Sequence, residues 1–105
     1  MKEIPELPPN IGKKGKAVHP PNGTVLRFEV VDEIRRPQTN EPSKIICLQK
    51  NEFANGETQF RLCYYILGKK EGRMKGRWVF GQYATFLPEA DLKAIFSEAH
   101  QRGWF

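Results

Sequence analysis

The chain has 105 residues, a length that predicts one domain with a modest two-layer core and excludes a large buried active-site cavity. Lys and Arg number 17 against 12 Asp and Glu, and the resulting charge of +5 favours an anionic partner such as nucleic acid. No apolar run approaches the roughly 20 residues that span a bilayer, and Met1–Pro5 opens no secretory h-region, so a cytoplasmic location and no membrane partner are expected.

Residues 1–23 carry Pro5, Pro8, Pro9, Pro20 and Pro21 and lack apolar periodicity, which predicts a flexible extended arm. Within it Lys13-Lys14-Gly15-Lys16 is a basic cluster suited to phosphate contact. A single domain over 24–105 follows. Its first strand is predicted from Thr24 to Ile34, with Leu26, Phe28, Val30 and Ile34 on one face and Arg27, Glu29 and Glu33 on the other. Arg35 to Ser43 holds two prolines and several turn formers and reads as a loop.

A second strand is predicted from Lys44 to about Phe53 and a third from Glu57 to Leu67, joined at Asn55-Gly56. Two registers remain open between them. A two-residue turn pairs Cys47 with Tyr64. A three-residue loop centred on Asn55 pairs Cys47 with Cys63 and aligns Ile46 with Tyr64 and Leu48 with Leu62. Turn chemistry favours the first register and burial the second. The two cysteines match no metal-ligand spacing and read as free small hydrophobes.

Gly68 to Gly76 is a glycine-rich basic loop containing Lys69, Lys70, Arg73 and Lys75. A fourth strand is predicted over Trp78–Phe80 and Gln82–Phe86, interrupted by Gly81. A bulge at Gly81 reverses the faces on one side of it, so Gln82 and Tyr83 have two candidate orientations. Pro88, Glu89 and Asp91 then mark a helix start. Leu92, Ile95, Phe96 and Ala99 share one helical face, and Gly103 marks the end, with Trp104 folding back. The fold class expected is α+β: a four-stranded antiparallel sheet in β-β-β-β-α order, with the C-terminal helix on an apolar face of Leu26, Phe28, Val30, Ile46, Leu48, Phe60, Leu62 and Ile66. Trp78 and Phe80 are further candidates for that face.

No catalytic set emerges. His19 lies beside Pro20-Pro21 and His100 in the last helical turn, with no carboxylate or nucleophile at a fixed spacing. The 68–72 stretch lacks the GK[ST] ending of a phosphate-binding loop. A non-enzyme without cofactor or metal is expected. The suggestive constellation is the other sheet face, where Arg27, Gln49, Arg61, Tyr65, Arg77 and Tyr83 are predicted to point away from the core. Aromatic rings stack on unpaired bases while guanidinium groups take phosphates. Lys69, Lys70, Arg73 and Lys75 extend this surface at one edge, so single-stranded DNA or RNA is the expected partner. The alternative is a protein-interaction or homodimerisation domain, because Trp78, Phe86, Trp104 and Phe105 are a heavy aromatic load for so short a chain.

Thr85-Phe86-Leu87-Pro88-Glu89, followed by Leu92-Lys93, is similar to the strand, Pro-Glu turn and amphipathic helix of the PC4, Whirly and Pur group of single-stranded nucleic-acid-binding modules. Lys14-Gly15-Lys16-Ala17 is similar to a short stretch of the Whirly proteins. The resemblance covers 24–105 in element order. It departs in the 35–43 loop, the short helix and the distance from the basic arm to the first strand. It implies a homodimer with nucleic acid lying across the sheets.

Overall fold

The computed structural model describes residues 5–19, 21–68, 75–81 and 84–105, with the side chain of His19 excepted. Five strands, β1 (Lys14–His19), β2 (Thr24–Gln38), β3 (Glu41–Phe53), β4 (Thr58–Leu67) and β5 (Trp78–Phe80), precede one helix, α1 (Glu89–Gln101). Each strand pairs antiparallel with its neighbour in sequence, giving one sheet ordered β1-β2-β3-β4-β5. The α+β class and the helix on one face are as expected; the fifth strand is β1. Residues 14–19 do not trail away as an arm but pair with β2 from Lys14↔Glu29 to His19↔Thr24. Leu7 and Asn10, ahead of β1, are buried against the sheet.

The expected 35–43 loop is also a correction. β2 runs on to Gln38 and β3 begins at Glu41, so only Thr39-Asn40 turns. Pro37 fits a strand here because β1 has ended by Glu29, leaving β2 at the sheet edge, and the register slips beside it. Long-range pairing with Ile45 and Ile46 overrides the local turn propensity.

The β3–β4 hairpin takes the register favoured by burial: Cys47↔Cys63, Ile46↔Tyr64 and Leu48↔Leu62. Its three-residue loop is closed by Phe53 N donating to Glu57 O at 2.8 Å and Gly56 N to Phe53 O at 2.9 Å.

β2 holds the decisive irregularity. Val30 pairs with Asn51 but Asp32 with Lys50, so Val31 is an extra residue. Parity reverses across it. Ile34 faces the helix, whereas Phe28 and Val30 face the other way, beside Glu33 and Arg35. The single apolar face predicted for Leu26, Phe28, Val30 and Ile34 is therefore split in two. Trp78 and Phe80 also lie away from the helix: Trp78 packs beside Leu7, Cys47 and Cys63, and Phe80 against Tyr65.

The helix-side core is Ile34, Ile46, Leu48, Ile95 and Ala99, with Leu87 and Trp104 packed on it. Burying an aliphatic side chain of this size contributes about 1.5–3 kcal/mol. α1 lies chiefly along β2, pinned at both ends. At its start Asp91 accepts from Thr39 N at 2.9 Å, Thr39 Oγ1 at 2.6 Å and Arg36 Nε at 2.5 Å. At its end Arg102 donates to Asp32 Oδ1 at 3.0 Å and to Glu33 O at 3.2 Å. Pro88 caps the helix rather than entering it. At the other end Trp104 N bonds Ala99 O and Gly103 N bonds His100 O, with Gly103 at φ 76°. These paired bonds satisfy the last carbonyls and turn Trp104 back onto the core.

Because α1 follows β2, it leaves much of β4 uncovered. Phe60, Leu62 and Ile66, expected beneath the helix, are exposed, as is Phe96 on the helix itself. No helix among the described residues is long and apolar enough to cross a membrane.

Candidate nucleic-acid interface

The sheet face opposite α1 is assembled from residues that the pleat and the β2 bulge bring to one side. Glu33, Gln49 and Arg61 lie in line across β2, β3 and β4. Arg61 donates from Nε at 3.0 Å and Nη2 at 2.7 Å to Gln49 Oε1. Gln49 Nε2 donates to Glu33 Oε2 at 2.6 Å, which Asn10 Nδ2 also reaches at 3.0 Å. Arg35 Nε donates to Glu33 Oε1 at 2.5 Å, and its other nitrogens donate to the carbonyls of Leu7 and Pro8. Glu33, Gln49 and Asn10 are buried, so this chain of bonds satisfies groups that would otherwise be orphaned. It also fixes the Arg61 guanidinium plane.

That plane lies between two rings, 5.4 Å from the centre of Phe28 and 5.3 Å from that of Phe80. Phe28 in turn sits 5.3 Å from Phe53, and Phe80 meets Tyr65 edge-on at 5.3 Å. The result is a row of rings, Phe53, Phe28, Phe80 and Tyr65, interrupted by one guanidinium. Burial raises the Tyr65 hydroxyl above its ordinary pKa.

β1 supplies the wall of this face. A cleft of about 280 Å³ is lined by Asn10, Lys13, Lys14, Gly15, Lys16, Phe28, Val30, Gln49, Arg61 and Tyr65. A second cleft of about 540 Å³ shares Lys14, Gly15, Lys16 and Phe28 with it and continues to Arg27 and Phe53. Lys13, Lys14 and Lys16 are exposed along this edge, with Lys14 and Lys16 paired to Glu29 and Arg27 and so on the side of β1 opposite Phe28, at the rim of the clefts. Phe28 lies so close to Gly15 that a Cβ there would meet the ring at 2.5 Å, which is why glycine faces it.

Of the residues expected to bind nucleic acid, Arg61 and Tyr65 come together here, with Gln49. Arg27 precedes the bulge and points to the opposite side from Phe28, at the rim of the larger cleft. Arg77 is exposed where β5 begins, and Lys75 is exposed beside its bridge to Gly68. Lys69, Lys70, Arg73 and Tyr83 lie outside the described residues.

Sequence reasoning missed Phe28 and Phe80, which it assigned to the core, and left Lys13, Lys14 and Lys16 on a separate arm. One signal was available for Phe28. Asp32 interrupts the even-numbered apolar series of β2, and an acidic residue there marks the point where the alternation fails. Nothing local reports the pairing of β1 with β2.

His100 Nδ1 lies 3.0 Å from Phe105 O, an ordinary helix-end contact. Among the described residues no cluster of three or more His, Cys, Asp or Glu is placed to hold a metal ion. Comparisons with protein-family models, curated proteins and solved structures gave no match.

Proposed function

We propose that the protein is a non-catalytic binding module for single-stranded nucleic acid, which lies across the sheet face opposite α1. One observation carries this reading: a row of aromatic rings around Arg61 opens onto connected clefts whose lining includes the exposed Lys14 and Lys16 of β1, on its Arg27 side, and Lys13 just ahead of it. Rings of this kind stack on any base, and the lysines follow a phosphate backbone, a combination that tolerates sequence. The guanidinium of Arg61 is already oriented by Gln49, so little of its side-chain entropy remains to be lost on binding.

The test is fluorescence anisotropy of labelled single-stranded DNA and RNA across a salt series. Affinity should fall steeply as salt rises, by a slope of about 0.7 per phosphate contact. Joint replacement of Lys13, Lys14 and Lys16 by Ala should flatten that slope. Tyr65→Ala should weaken binding by about 1–3 kcal/mol while leaving the slope unchanged, because stacking carries no counterion term. No binding at low salt would end the proposal.

A further inference from the structure

Backbone geometry leaves one side of the sheet unguarded. Gly81 N donates to Tyr64 O at 2.8 Å, so the backbone groups of the even-numbered β4 residues point away from β3. β5 takes up this edge only from Tyr65 to Leu67. β5 ends at Phe80, Gly81 lies against the Tyr64 ring, and Leu87 reaches the helix-side core. Among the described residues, no strand pairs with Thr58, Phe60 or Leu62 on that side.

The part of β2 that β1 leaves unpaired is treated differently. Beyond β1, the outer side of β2 meets Gly12 and Lys13 through bonds with Val30, and Arg35 ties Leu7 and Pro8 beside it. Pro37 withholds a donor further along. Natural sheets blunt exposed edges by such means. β4 has no proline, lysine or bulge between Thr58 and Leu62. On those same residues the side chains are apolar: Phe60 is 40% exposed and Leu62 45%. Beside them stand Phe96 and Phe105, 42% and 59% exposed, with Phe105 edge-on to Phe60 at 5.7 Å.

We infer that this edge pairs with the same edge of a second copy, β4 against β4 antiparallel about a two-fold axis at Phe60. The segment is self-complementary in that arrangement. Phe60 meets its symmetry mate, and Thr58 meets Leu62 of the other copy, each with N–H and C=O directed outward. Arg61 falls opposite Gln59, with Glu57 and Arg61 of the other copy on its two diagonals, so no like charges are directly opposed. The exposed Phe60, Leu62 and Phe105 of both copies come to one side of the axis. Sheet pairing and apolar burial thus select the same occupant, which an unrelated strand would satisfy only in its backbone. The inference does not rest on the nucleic-acid reading. It does extend that surface, since Arg61 of both copies would share one continuous sheet face.

Sedimentation equilibrium of the full chain from micromolar to hundreds of micromolar tests the pairing. A mass approaching twice 12.1 kDa is expected. Thr58→Pro removes an outward donor without touching the β3 ladder, and Leu62→Lys places charge on the patch. Each should give a monomer with the circular dichroism of the parent. Amide exchange on the unaltered chain provides a check independent of variant folding: the Phe60 and Thr58 amides should gain protection as concentration rises. A monomer at all concentrations, a dimer undisturbed by both variants, or these amides unprotected within a dimer would overturn the inference. So would a monomer that takes up only heterologous β-strand peptides.

Discussion

Asp91 has no exposed surface, yet it begins a helix whose N-terminal dipole welcomes negative charge. Hydrogen bonds from the Thr39 hydroxyl and backbone, then Arg36, hold its carboxyl at about 2, below the ordinary carboxylate value. A carboxylate depressed on folding stabilises the fold fully above its unfolded pKa and loses that contribution as pH falls through its folded pKa. Asp91→Asn should therefore lower the Tm by several degrees at neutral pH. The gap between variant and parent should close between about pH 4 and pH 2, as read by thermal melts across that range. A second residue-scale constraint is Gly81. A Cβ there would lie 2.1 Å from the Tyr64 ring, so Gly81→Ala must displace the ring or the backbone. Urea denaturation should show a loss of about 1–3 kcal/mol. The glycine was visible in the sequence as an interruption. Its cause, a ring on the neighbouring strand, is a long-range contact and was not.

At the scale of elements, the helix was the most legible part of the chain. Its acidic first turn and terminal Gly103-Trp104 correspond to what α1 does, because each acts within one or two turns, while of its apolar face Ile95 and Ala99 enter the core and Phe96 stays exposed. The β3–β4 register was half legible. Turn preference and burial pointed apart, and burial prevailed because the core face of β3 is fixed by Ile46 and Leu48. The N-terminal segment was the least legible. Prolines and lysines give no sign that Leu7 covers Cys47 and Cys63, or that Trp78 Nε1 donates to Pro5 O at 2.8 Å. Leu7→Ala should lower stability by roughly 2 kcal/mol, the scale for truncating a buried leucine, measured by urea denaturation. A freely moving arm would show no change. The same variant should speed alkylation of the cysteine pair. The Cys47 thiol is pushed well above its ordinary pKa, first by its hydrogen bond with Cys63 and then by burial.

For the whole molecule, the two sheet faces divide the work. One carries α1 over Ile34, Ile46 and Leu48. The other carries the Glu33 network, the ring row and the N-terminal segment. Neither is completely covered, and the uncovered parts differ in chemistry. The Arg61 face is aromatic and cationic, suited to an anionic polymer. The β4 margin is apolar, and among the described residues no strand pairs with Thr58, Phe60 or Leu62 on its outer side. The proposed ligand and the proposed second copy thus occupy different surfaces, and each can fail without the other.

Local sequence determined the helix, its caps and the strand cores around Phe28, Ile46 and Leu62. These depend on periodicity and on chemistry within a few residues. Tertiary structure decided which side of the sheet Phe28 and Val30 join, because one extra residue at Val31 reverses parity and only pairing with β3 reveals it. It also decided that Lys13, Lys14 and Lys16 line the clefts that reach Arg61, since β1 finds β2 through backbone hydrogen bonds that any sequence can make. The candidate site exists only through those two long-range facts.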